Sequence, residues 1–255
     1  MVTSPALPLR WGRSASRFRS ETFRRRAAVA GTVVVVGALA ALNIARHVLP
    51  PGTLWLSLAA APALVAFGRA SGLSWHQMGL SRQRLRSGGL WGLGAIATVG
   101  GVYAVGLLLP MTRSFFLDAR YHLGPSEALL TAFVIIPVGT ILLEEIAFRS
   151  VLWGMLHRHM TAWKAVLVSS ALFGLWHVLP ALGDVGRGGI SGVVPPGPLA
   201  TAMVVGGTVL FTAIGGVVAG ELRRRSGSVL ASAGMHWATN ALGVLFALAA
   251  WKIVS

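Results

Sequence analysis

Long apolar stretches, separated by short segments rich in charge or in Gly and Pro, dominate the chain from residue 27 onwards. About 17 to 25 mainly apolar residues are enough to cross a bilayer as a helix. Seven such stretches are predicted as membrane spans: residues 27–44, 53–67, 90–109, 128–152, 165–182, 199–220 and 229–251. The second stretch is the weakest, because it is short and contains Pro62. The pattern predicts an all-α protein, a polytopic transmembrane helix bundle of about seven spans.

Composition supports a membrane protein. Hydrophobic residues make up 55% of the 255 residues and charged residues only 11%, whereas about a quarter of a typical soluble domain is charged. The sequence contains no cysteine, which excludes disulfides, zinc sites built from thiolates and a cysteine nucleophile.

The basic residues are distributed unevenly between the two ends of the predicted spans. The 22 Lys and Arg residues exceed the seven Asp and Glu residues, for a formal charge of +15. Residues 1–26, 68–89, 153–164 and 221–228 hold seven, four, two and three of them, and these segments all lie on one side. Because cytoplasmic loops carry the excess of Lys and Arg, we expect a multi-pass cell-membrane protein with a cytoplasmic N-terminus and an extracytoplasmic C-terminus.

Residues 1–26 are interpreted as a basic cytoplasmic arm, and residues 27–255 as one transmembrane domain. The arm lies directly before a span and lacks interleaved aromatic residues, which favours contact with anionic lipids of the bilayer over nucleic acid. The apolar run after it is longer than that of a cleaved signal peptide, so we expect it to be retained. The Gly- and Pro-rich segment 183–198 is predicted to be an extracytoplasmic loop.

Two adjacent acidic residues, Glu144 and Glu145, lie inside the fourth predicted span. Each costs at least about 2.5 to 3.5 kcal/mol on insertion scales, so partners or function must offset the cost. Arg149 lies four residues after Glu145, on the same helix face and in the favourable acid-first order. Glu144 lacks that partner and should point to another helix. The alternative is a packing ion pair in which Glu144 is simply protonated.

Three further polar side chains fall inside spans. His177 lies in the fifth, whereas His236 and Asn240 share one face of the seventh. At 1.5 Å per residue from the cytoplasmic ends of their spans, Glu144 and His236 lie at a depth of about 12 Å and His177 at about 20 Å. We therefore expect these side chains to meet in one layer that faces the cytoplasm. Each histidine alone is more typical of a hydrogen bond between helices.

These residues form three ordered elements: Glu144-Glu145-Ile-Ala-Phe-Arg149, Phe173-Gly-Leu-Trp-His177 and His236-Trp-Ala-Thr-Asn240. Together they resemble the signature of the CPBP family, which comprises the eukaryotic CAAX prenyl endopeptidases and many bacterial membrane proteins related to bacteriocin self-immunity. The resemblance covers a core at about residues 127–246. The first three predicted spans match the family only in general character.

The resemblance implies an intramembrane endopeptidase that cleaves membrane-associated protein or peptide substrates. Glu144 and His177 would activate a water, with Glu144 as the base. His236 and Asn240 would donate hydrogen bonds to the oxyanion, and Glu145 and Arg149 would hold the geometry. No cofactor is expected. An older view of the family makes the Glu and His residues zinc ligands, here Glu144, His177 and His236, and this alternative stays open.

Two other functions compete with the peptidase. One is a non-catalytic membrane scaffold or immunity-type protein, and the other is a proton-coupled transporter, since intramembrane Glu and His also form proton relays. The transporter ranks last because the sequence shows no two related halves. The composition, rich in Arg, Ala, Gly and Val, suggests a bacterial chain, for which prenylated substrates are not expected.

Overall fold

The structure, a computed structural model, describes residues 12–49, 53–183, 185 and 197–254. Within these ranges the chain forms helices and short helical turns, and no strand occurs in them. The predicted arm (residues 1–26) lies partly outside the described ranges, and so does most of the predicted loop at residues 183–198. Where the arm is described, it is already helical, because the first helix begins at Gly12.

Seven principal helices follow one another in the described part of the chain. Their bounds are α1 Gly12–Val48, α2 Thr53–Ala70, α3 Leu85–Leu108, α4 Pro125–Leu156, α5 Ala162–Gly183, α6 Pro198–Ser226 and α7 Val229–Val254. Between α3 and α4 the chain makes the short helical turns Pro110–Arg113, Ser114–Phe116 and Ala119–Tyr121.

Six of these helices in the described part of the chain are long and apolar enough to cross a membrane, whereas α2 offers only the shorter apolar helix Leu54–Ala70. The predicted class, a polytopic helix bundle of about seven spans, is confirmed, and the weakest predicted span is the one that falls short. This is a multi-pass membrane protein. Large apolar side chains such as Leu93 and Val102 on α3, and Phe211 and Ile214 on α6, face outward, as expected of surfaces that contact lipid.

Glycines allow two pairs of helices to pack at close range. A Cβ on Gly234 of α7 would lie 2.8 Å from the Cα of Gly92 on α3, and one on Gly174 of α5 would lie 2.7 Å from the carbonyl oxygen of Val209 on α6. Small residues at such contacts let backbones approach where no hydrophobic effect drives helices together. Helices α5, α6 and α7 from these pairs contact α4, whose residues Leu143, Ala147 and Val151 are fully buried.

Helix α6 is longer than predicted. The sequence placed residues 221–228 in a cytoplasmic connection, but the helix continues to Ser226 and ends at Gly227, which has a left-handed φ of 72°. Glu221 pairs with arginines three and four residues later, and such pairs favour another helical turn. Arg223 and Ser226 are consequently buried rather than exposed in a loop.

Candidate active site

The helices that carry the polar residues depart from regular α-helical geometry. Helix α4 contains the π-helical stretches Thr131–Ile135, Pro137–Ile141 and Glu145–Leu152, and α7 contains Ala238–Leu242. Single π-helical turns are rare in proteins, and those that do occur are often found at functional sites. Here they coincide with two of the three sequence elements, those that begin at Glu144 and at His236.

Glu145 is the centre of a buried ionic group. Its Oε1 lies 3.3 Å from an Nη atom of Arg149 and 2.9 Å from Nδ1 of His236. The Arg149 guanidinium also lies over the ring of Phe173, with 3.8 Å between Cζ and the ring centroid. The predicted Glu145–Arg149 pair is confirmed, and the histidine from α7 completes it.

Glu144 points to other helices, as expected from its position on α4. The indole Nε1–H of Trp176 donates to its Oε1 at 3.0 Å, and Nε2 of His236 lies 3.7 Å from its Oε2. This Oε2 is buried and accepts no hydrogen bond from the described residues. His236 thus lies between the two carboxylates, with one ring nitrogen towards each.

His177 lies at a break in α5. The regular helix stops at Trp176 and resumes at Val178. Nδ1–H of His177 donates to the carbonyl oxygen of Phe173 at 2.8 Å, which leaves Nε2 as the nitrogen available to a substrate or water. No hydrogen bond joins His177 to Glu144 among the described residues. The two histidines instead contact the same ring, since His177 and His236 pack edge-on against Phe173 with centroids 4.7 and 5.9 Å away.

Asn240 follows His236 within the π-helical part of α7 and is half-buried. Its Oδ1 lies 3.5 Å from the hydroxyl of Thr239, so its amide NH2 is the end that remains to donate. The structure therefore brings Glu144, Glu145, Arg149 and His236 into direct contact, and connects His177 to them through Phe173.

Sequence reasoning missed two side chains of this region. Trp176 donates directly to Glu144, and its only signal was its position next to His177. Arg223 is buried and donates to the backbone carbonyls of Arg149 and Gln77 at 3.2 and 2.9 Å. Nothing in the sequence distinguishes it from the exposed arginines that follow it.

The three residues considered as zinc ligands do not converge on one point. Within the described residues, no group of three His, Asp or Glu side chains has the spacing of a metal site. Nδ1 of His236 is engaged by Glu145 and its Nε2 faces Glu144, while His177 forms no ion pair with either carboxylate among the described residues. This arrangement does not fit a zinc ion held by Glu144, His177 and His236.

Two cavities lie close to these helices. One, of about 230 Å³, lies between α1, α4 and α5 and is lined by Trp176 and Asn43 among apolar residues. The other, of about 580 Å³, is an apolar groove between α3, α6 and α7 that includes Met235, the neighbour of His236.

A helix bundle that buries two carboxylates, an arginine and a histidine in its spans defines a polytopic membrane protein with a buried ionic site. The family model described as Rce1-like, type II CAAX prenyl endopeptidase Rce1-like, matches residues 126–242. The match confirms the resemblance seen in the sequence, and residues 126–242 are referred to below as the Rce1-like domain. All three sequence elements fall within the matched residues. Neither a curated protein nor a solved structure matches the chain significantly.

Proposed function

We propose that this protein is an intramembrane endopeptidase that hydrolyses peptide bonds of membrane-associated proteins or peptides. The observation that carries the proposal is the pair of buried carboxylates bridged by His236, with Oε2 of Glu144 left without a hydrogen-bond donor among the described residues. A buried carboxylate oxygen that is aimed into a polar site and lacks a partner suits a general base. The Rce1-like domain supports the same reaction class.

In this mechanism Oε2 of Glu144 accepts a proton from a water, whose oxygen attacks the peptide carbonyl carbon. His177 orients the water through its Nε2. The C–N bond then breaks, and Glu144 returns the proton to the leaving amine. His236 and the Asn240 amide donate to the oxyanion, and each such donor is worth about 3 to 4 kcal/mol in known cases.

The two roles proposed for His236 require protons on both of its ring nitrogens. With protons on both ring nitrogens, His236 donates from Nδ1 to Glu145 and keeps Nε2–H for the oxyanion. Two carboxylates, Arg149 and this imidazolium then sum to zero, which lowers the cost of burying four charges. Glu145 and Arg149 are positioning residues, because they fix the plane of the His236 ring.

The same proposal covers orientation and partners. The N-terminus lies in the cytoplasm, the basic arm of residues 1–26 contacts anionic lipids, and the substrate is a membrane protein or peptide rather than nucleic acid. The catalytic steps use side chains of this chain alone. The non-catalytic scaffold is the alternative, and it differs in one respect: it has no need of a base at residue 144.

The Glu144→Gln variant tests the proposal, since it preserves shape and removes basicity. Purified protein in liposomes is given quenched fluorescent membrane peptides, one of which ends in an S-farnesylated CAAX motif. We expect cleavage to fall about 10²- to 10⁴-fold, the usual contribution of a general base, with unchanged membrane abundance. Glu127→Gln, at the exposed start of α4, is the control and should cleave normally. Full activity of Glu144→Gln would refute the role of Glu144.

A further inference from the structure

Polar side chains of α1 and α2 bind the backbone of the helices that carry the site. These two helices lie outside residues 126–242, the part that matches the family. Asn43 of α1 is buried, and its amide Nδ2–H donates to the carbonyl oxygen of Trp176 at 2.9 Å. Polar groups inside membrane spans are expensive to bury, so a conventional packing position would favour an apolar residue here.

The break in α5 explains why this hydrogen bond is needed. The last carbonyls of a helix have no partner within the helix, and no water replaces that partner within a bilayer. Helix α5 stops its regular course at Trp176, and the residue four positions on is Pro180, which has no N–H to donate. The carbonyl oxygen of Trp176 therefore depends on a donor from elsewhere. Asn43 supplies the donor from a neighbouring helix.

The same tryptophan contacts the proposed base with its side chain. Its indole N–H donates to Oε1 of Glu144 at 3.0 Å. Asn43 therefore holds the backbone of a residue whose side chain holds Glu144. Arg46, one turn further along α1, places its guanidinium 5.8 Å from the Trp176 ring centroid, so a second residue of α1 lies next to the indole.

A second anchor acts on α4 itself. The carbonyl oxygen of Gly139, five residues before Glu144, accepts hydrogen bonds from Ser57 of α2 at 2.7 Å and from Arg46 of α1 at 3.2 Å. Gly139 lies in the π-helical stretch Pro137–Ile141. Two donors from outside the Rce1-like domain thus hold the backbone that leads into the pair of carboxylates.

We propose that α1 and α2 are part of the site, and that Asn43 is a positioning residue that orients Glu144 through Trp176. With Oε1 of Glu144 held by the indole, Oε2 is the oxygen left to face His236 and the water. The consequence for activity rests on the proposed function. The arrangement of Asn43, Trp176 and Glu144 does not depend on the proposed function, so a spectroscopic measurement tests it independently.

The experiment follows the ¹⁵N–¹H signal of the Trp176 indole in protein labelled at tryptophan, identified as the signal that disappears in Trp176→Phe. We expect it to shift in Glu144→Gln, which weakens the acceptor, and in Asn43→Leu, which removes the anchor. Thr32→Val is the matched control, because Thr32 is a buried polar residue of the same helix that bonds Ala28 and His159 instead. An unchanged signal in folded Asn43→Leu, with a shifted one in Glu144→Gln, would overturn the role of Asn43.

The cleavage assay gives the second readout. Trp176→Phe and Asn43→Leu should each lower kcat about tenfold, the effect of losing one hydrogen bond of about 1.4 kcal/mol, with KM unchanged. Trp153→Phe is the control for loss of an indole, because the buried Nε1 of Trp153 has no hydrogen-bond partner among the described residues. If Trp176→Phe kept full kcat while Glu144→Gln lost it, the inference would be wrong. If no peptide were cleaved by the unmodified protein, the proposed function would fail and the indole signal would still decide the positioning.

Discussion

Two groups of glutamate and arginine with nearly the same spacing occur in this chain, in opposite surroundings. Glu145 and Arg149 lie in the middle of the bundle, where their side chains are 2% and 4% exposed. Glu221 pairs with Arg224 and Arg225 near the end of α6, where the side chains are 23%, 40% and 59% exposed. Sequence spacing alone predicts an ion pair in both places.

The difference shows that position in the bundle, rather than spacing, determines what an ion pair does. The exposed group has short contacts of 2.6 to 2.7 Å, but water and salt screen it and its contribution to stability is small. In the buried group the contact between Glu145 and Arg149 is longer, at 3.3 Å. Removal of either residue would leave an uncompensated buried charge. Function is therefore expected in the buried group and helix stabilisation in the exposed one.

The side of the membrane that each connection faces can be tested first, because the expected labelling is all-or-none. The chain has no cysteine, so single cysteines introduced at Arg225, Thr161 and Ser87 should react with a membrane-impermeant thiol reagent only from the cytoplasmic side. A cysteine at Ser114 should react only from outside. A cysteine at the buried Ser226 should stay unlabelled from both sides. Labelling of residue 225 from outside would invert the proposed orientation.

The buried pair should be the more sensitive to mutation. Arg149→Ala leaves Glu145 without its cation and removes the guanidinium from Phe173, which is expected to cost about 3 to 5 kcal/mol. The measurement is the yield of folded protein and the midpoint of thermal unfolding in detergent. Arg225→Ala is the matched control and should leave both nearly unchanged. Equal effects in the two variants would remove the distinction between the two groups.

The exposed group should contribute little. Glu221→Gln removes the acceptor of both arginines, yet we expect a loss of less than about 1 kcal/mol in stability, and an even smaller one at high salt. The thermal midpoint of the variant is measured at low and high ionic strength. A loss as large as that of Arg149→Ala would mean that the end of α6 is a structural centre in its own right.

The smallest expected effect is that of a chelator. Because Glu144, His177 and His236 do not converge as ligands, cleavage should be unchanged after dialysis against EDTA, and elemental analysis of active protein should find no stoichiometric zinc. About one zinc per chain, lost together with activity and restored with it, would convert these residues from acid–base groups to ligands and would require another arrangement of the site.

The local pattern of the chain determined much of this protein. Apolar stretches of sufficient length require helices in a bilayer, because every backbone polar group must be paired there. The free-energy cost of burying charge in such a stretch marks Glu144, Glu145 and Arg149 as unusual. The four-residue spacing of Glu145 and Arg149 is enough to predict that they pair. These inferences hold because they depend on properties of one helix at a time.

Contacts between helices were decided only by the tertiary structure. The depth of His236 predicted a common layer with Glu144, but not that its ring bridges two carboxylates, and the depth of His177 did not reveal that Phe173 lies against both histidines. Arg223 looks like its exposed neighbours in sequence and is buried because α6 continues and packs there. Asn43 binds the carbonyl oxygen of Trp176, and only the packing of α1 against α5 brings the two together. Each of these depends on the rotation and register of helices distant in sequence, which the hydrophobic pattern of a single span does not encode.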